Sequence, residues 1–113
     1  RNNLAGAYES AGRLTEAITL FEQVLTDSIR ILGEDHPNTL TIRNNLAATY
    51  RSAGRLTEAI ALYEQVLTAR TRILGKDHPD TLATLVALAR AYKDAGFLDK
   101  ATALLEGAIP TEE

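Results

Sequence analysis

The chain has 113 residues, enough for one domain, and its 45% hydrophobic and 24% charged content excludes compositional disorder. No apolar run approaches the roughly 18 residues that span a bilayer. The absence of Cys excludes disulfides, Cys-based zinc sites and thiol nucleophiles, and a net charge of −3 argues against a duplex-DNA binder, which carries a basic excess.

The sequence opens on Arg1-Asn2-Asn3-Leu4-Ala5, with no Met and no signal-peptide pattern, and is expected to be a segment of a longer chain. The same five residues return as Arg43-Asn44-Asn45-Leu46-Ala47. Ala11-Gly12-Arg13-Leu14 returns as Ala53-Gly54-Arg55-Leu56, and Asp35-His36-Pro37 as Asp77-His78-Pro79. The offset is 42, and residues 1–42 match residues 43–84 at 30 of 42 positions. A weaker third copy begins at Leu85 and keeps Leu88, Ala89, Tyr92, Ala95, Gly96, Leu98 and Ala101. Such periodicity is the signature of a repeat architecture.

Each copy reads as two helices. The first copy predicts a helix broken at Gly12 and a second that ends at a loop around 33–36. In the middle copy, Leu40, Ile42, Leu46, Ala47, Tyr50 and Ala53 are spaced for a helical period between Pro37 and Ala53. Pro37 suits a first helical position, Asp35 or His36 the cap, and Gly54 a helix stop. A second helix is predicted from about Leu56 to Leu74, with a loop around 75–78. The third copy predicts a break at Gly96, and Gly107 and Pro110 interrupt its last helix. Six helices result. A turn of about two residues inside each copy makes an antiparallel hairpin. A lone hairpin cannot bury its apolar face, whereas stacked hairpins can.

The order Leu46-Ala47-x-x-Tyr50, Ala53-Gly54, Ala59-x-x-x-Tyr63 resembles the tetratricopeptide repeat. Leu4, Ala5, Tyr8, Ala17 and Phe21 match in the first copy, and Leu88, Ala89, Tyr92, Ala101 and Leu105 in the third. Two features depart from the common pattern. Arg1, Arg43 and Leu85 stand where it has Trp, and the period is eight residues longer. The long period and the Leu-Gly-x-Asp-His-Pro loop resemble the 42-residue repeats of kinesin light chains, nephrocystin-like proteins and bacterial signal-transduction NTPase sensor arrays. The resemblance implies an all-α, right-handed superhelical solenoid of antiparallel helix pairs. It would be a single domain of about three repeats, at 1–36, 37–78 and 79–113.

The family's first helices line a concave groove that binds peptides or protein segments. The resemblance puts Asn2, Asn3, Asn44 and Asn45 on or near that groove, with Thr41, Arg51, Arg90 and Lys93 along the same face. Asn competes for backbone hydrogen bonds and is poor inside a helix, so adjacent mid-helix pairs ask for a reason. The functional reading is amides that pair with a bound chain; the structural one is amides that bond neighbouring helices or solvent. The middle copy is net +2 while its neighbours are −3 and −2, so a basic stretch from Arg51 to Arg90 and Lys93 could steer an acidic peptide. A chaperone-tail clamp is rejected. Asn2, Gly6, Ala83 and Ala87 stand where that clamp needs Lys, Asn, Lys and Arg, and only Asn45 fits.

His36 and His78 sit in equivalent loops beside Pro, about one repeat apart, and read as cap and loop residues rather than metal ligands. Ser10, Ser28 and Ser52 have no triad-like partners. Glu16, Glu22, Glu58 and Glu64 recur with the repeat, which points to solvated faces or inter-helix pairs. No Gly-rich phosphate loop is present. The expectation is a non-catalytic interaction module, without cofactor or metal, set in a larger cytoplasmic regulatory protein. Its partner would be a protein or an acidic peptide, not nucleic acid or membrane. The alternative is a structural unit that self-associates. Leu40 and Ile42 have no counterparts before Arg1, and Leu104, Leu105 and Ile109 have no following repeat. Exposed apolar ends would then stack copies end to end.

Overall fold

Five helices occupy most of residues 3–108, the range described by the computed structural model, with side chains described for residues 13–107. They are α1 (Asn3–Leu32), α2 (Pro37–Ser52), α3 (Leu56–Leu74), α4 (Pro79–Asp94) and α5 (Leu98–Ala108). No strand occurs among the described residues.

Local chemistry sets most of these boundaries. The His36 Nδ1 accepts the Asn38 backbone N–H at 3.1 Å, and His78 Nδ1 accepts that of Asp80 at 3.0 Å. Each imidazole therefore satisfies one of the unpaired donors at a helix start, with Pro following at the first helical position. The ends of α2 and α4 are paired turns. Gly54 has φ +80° and Gly96 φ +90°, a region that a side chain disfavours. Arg55 N–H reaches back to the Tyr50 carbonyl at 2.8 Å, and Gly54 N–H to that of Arg51 at 3.0 Å. Phe97 to Tyr92 and Gly96 to Lys93 repeat the pattern at the same distances. These are the two bonds of a Schellman motif, which reverses the chain within a few residues.

The predicted break at Gly12 does not occur. Helix α1 runs unbroken for 30 residues, so there are five helices rather than six. A glycine inside a helix costs only about 1 kcal/mol against alanine. The break at Gly54 is supported by the long apolar stripe of α2, where Leu40, Leu46, Ala47 and Tyr50 are all buried. Continuing the helix through Gly12 adds one backbone hydrogen bond per residue, which offsets the cost of that glycine.

Consecutive helices pack against one another and α2 also approaches α4, whereas among the described residues the backbones of α1 and α3, and of α3 and α5, do not come close. The core consists of Ile18, Leu46, Ala47, Tyr50, Ala59, Tyr63, Leu88 and Ala91. Extents of 53 × 35 × 24 Å and a radius of gyration of 15.4 Å describe an elongated stack. A compact domain of this length would have a radius near 13 Å.

Ala59 is fully buried and meets the core formed by Tyr50 and Tyr63. Ala59→Leu is expected to overpack this crossing at a cost of about 1–3 kcal/mol. Tyr50→Ala is expected to open a cavity costing about 3–5 kcal/mol. Denaturant midpoints lower than wild type in both variants would confirm this packing, and two unchanged midpoints would refute it.

Candidate functional site

Helix α2 divides into three strips. Thr39, Leu40, Arg43, Leu46, Ala47 and Tyr50 are buried against α1 and α3. On the opposite side, Thr41, Asn45, Ala48 and Ser52 are exposed at spacings of four, three and four residues, so they form one continuous strip. Between these, Asn44 and Arg51 lie half-buried on the flank that faces α4. Thr84 Oγ1 lies 3.5 Å from Asn44 Oδ1, and Arg51 Nε donates to Asp94 Oδ2 at 2.7 Å.

The predicted groove residues accordingly separate into groups. Thr41, Asn45 and Arg90 lie on the exposed strips of α2 and α4. Asn44 and Arg51 lie in the seam between these helices, where each has an intramolecular partner. Lys93 occupies the register of Arg51, on the far flank of α4, where it is exposed. Asn2 and the side chain of Asn3 lie outside the described residues. Pairing with Asp94 removes Arg51 from the basic stretch. Arg90 and Lys93 meet no carboxylate among the described residues.

Of two apolar residues beside this face, Val86 stands out in the sequence because it replaces the Asn44 of the previous copy, whereas Leu82 was not predicted. Leu82 is 37% exposed, although its counterpart Leu40 is 3% exposed, and Val86 is 43% exposed. Both lie on the flank that α2 uses to meet α4. The signal for this lay in the register: Leu82 and Val86 stand 42 residues after Leu40 and Asn44.

A second set of contacts joins each first helix to the preceding second helix. The Tyr50 hydroxyl donates to Glu22 at 2.5 Å, and the Tyr92 hydroxyl to Glu64 at the same distance. These are the inter-helix pairs suggested by the recurring glutamates. Burial, and then the carboxylate it bonds, pushes each phenol up from 10.0 to about 12. The Arg55 guanidinium lies 4.6 Å over the Tyr50 ring. In the next repeat, Lys100 lies over the Tyr92 and Phe97 rings.

The tetratricopeptide repeat family profile matches residues 1–72 and 42–110. The chain belongs to the tetratricopeptide repeat family. Among solved structures, it is similar to the nearly identical repeats of a kinesin light chain candidate from Podosopora anserina. The TM-score is 0.80 and the identity 38%, over 93% of this chain and 50% of that one. A second structure of those repeats, carrying a methionine substitution, matches equally well. This chain therefore spans half the length of that structure. Comparison with curated protein sequences finds no significant match. Tetratricopeptide repeats generally mediate protein–protein interaction. No described helix is long and apolar enough to cross a membrane.

The Tyr–Glu seam carries a pH signature. The unfolded chain releases a tyrosine proton near pH 10, whereas Tyr50 and Tyr92 hold theirs to about 12. Their raised values give a stability contribution that is fully present below pH 10 and is lost as pH rises toward 12. Denaturant midpoints are expected to fall across that window, and the fall to be shallower in the Tyr50→Phe, Tyr92→Phe double variant. Parallel curves for the two proteins would disprove the assignment.

Proposed function

We propose that the chain is a non-catalytic protein-interaction module whose open face, formed by the first helices, binds a peptide or protein segment. The observation carrying this reading is the exposed strip of α2, with Asn45 at mid-helix and no hydrogen bond to its side chain among the described residues. Asn is disfavoured in a helix interior, and an exposed, unbonded amide offers both a donor and an acceptor to a bound backbone. Thr41, Arg90 and Lys93 extend the polar surface. Asn44 and Arg51 brace it from the seam. Arg90 and Lys93 give the ligand an acidic preference through electrostatic steering.

The repeats divide at 1–36, 37–78 and 79–113, within one right-handed superhelical domain. The setting is a larger cytoplasmic regulatory protein, and the module uses no cofactor.

Self-association end to end is the second reading. It is favoured by the uncovered flank of α4, where Leu82 and Val86 stand in the register that α2 buries or bonds. Leu98 and Leu105 on α5 are also exposed, while Leu104 is half-buried against the core. Ile109 lies outside the described residues. A continuous superhelix would cover this surface with the next copy. Leu82→Glu is then expected to abolish concentration-dependent association in sedimentation, and a strict monomer across the series would reject stacking.

A peptide-array screen followed by titration tests the leading reading. Acidic peptides are expected to dominate. Arg90→Glu should weaken them roughly tenfold in low salt and less in high salt, because exposed charges are screened. Asn45→Ala should weaken them at both salt concentrations. Peptides that bind equally well to wild type and both variants would overturn the assignment of this face.

A further inference from the structure

Away from the open face, a cavity of about 590 Å³ opens between α3, α2 and the loop before α2, in the size range of ligand clefts. Its walls are Glu34 and Asp35 of the loop before α2, and Glu64, Ala69 and Arg72 of α3. Arg43 lies at its floor.

Arg43 is only 8% exposed, and its Nε is buried without a hydrogen-bond partner. No carboxylate among the described residues pairs with it. The acids on the walls are otherwise engaged or further out. Asp35 accepts from Arg72 at 2.8 Å, and Glu64 from the Tyr92 hydroxyl. Glu34 is exposed on the loop. A buried cation with an unfilled donor is unfavourable unless something fills it. Packing does not demand an arginine here either, because the same register position in the third copy is Leu85, which is half-buried.

We propose that this outer cavity binds an acidic side chain of a partner protein, a Glu or Asp flanked by Lys or Arg. The carboxylate meets the two terminal amino groups of the Arg43 guanidinium, which can donate two parallel hydrogen bonds, while the buried Nε behind them reports the change. The flanking cations meet Glu34 and Glu64 at the rim. The charge pattern selects this occupant. A purely acidic segment is repelled by the rim, and a purely basic one by the floor. None of the open-face residues lines the cavity, so the two surfaces stand or fall separately.

The test is a nuclear magnetic resonance titration of the ¹⁵N-labelled chain, reading the Arg43 Nε–H signal, which is assigned by its loss in Arg43→Lys. The probes are the blocked tripeptides acetyl-lysyl-glutamyl-lysine amide and acetyl-lysyl-glutaminyl-lysine amide. The glutamyl peptide is expected to shift the signal saturably, and the glutaminyl peptide to bind about tenfold more weakly, the loss of one charge-assisted contact. Arg43→Gln, followed through the backbone amide signals of Glu34, Asp35 and Arg72, should abolish the difference between the peptides. Glu34→Gln, on the exposed rim, should weaken the glutamyl peptide without changing the helical circular dichroism. If Arg43→Gln does not fold, the peptide pair and Glu34→Gln decide the matter. Equal binding of the two peptides, or wild-type binding by Glu34→Gln, would overturn the proposal.

Discussion

Two helices approach only as closely as the side chains at their crossing permit, and this stack depends on alanines at those crossings. Ala47 and Ala59 are fully buried, and Ala89 and Ala101 hold the same register 42 residues later, also buried. A methyl group brings the backbones together, and the larger side chains then close the space beside them. Tyr50 and Tyr63 do so around the middle crossing, with Leu46 and Leu88 in the same core. Dispersion is short-ranged, so the gain of the surrounding contacts depends on this approach. The Tyr–Glu bonds, the Arg55 contact and the bridge from Arg51 to Asp94 all join elements that the alanines have already placed.

Most of the fold was legible in the sequence because the determinants are local and occur more than once. His36-Pro37 and His78-Pro79 start helices by capping, and Gly54 and Gly96 end them by accepting a positive φ. The apolar spacing of Leu40, Leu46, Ala47 and Tyr50 identified the buried side of α2. Gly12 was misread because identical residues do not guarantee identical structure. A glycine permits a break but does not require one, because in a helix interior it costs only about 1 kcal/mol against alanine.

The candidate site was less legible, since it depends on what each surface residue meets. The family resemblance put Thr41, Asn45 and Arg90 on one face together with Asn44 and Arg51, and it could not separate the last two from that face. Their half-buried positions follow from the location of α4, which brings Thr84 and Asp94 alongside. Lys93 has no such neighbour among the described residues, so residues in one register position have different surroundings in successive repeats. Arg43 was read only as a departure from the tryptophan of the common pattern. Its position three residues before Leu46 and seven before Tyr50 on the buried stripe already placed it inside the protein, but the cavity beside it depends on how α3 and the loop before α2 sit around it.

The pairing of the helices also governs how the stack responds to force. Successive repeats are joined chiefly where the second helix of one packs against the first helix of the next, α1 on α2 and α3 on α4, with the tyrosine bonds in the same seams, while the backbones of α1 and α3 do not approach each other. Each repeat therefore bears on its neighbour through one main helix-on-helix seam, and a load along the stack passes from seam to seam in chain order.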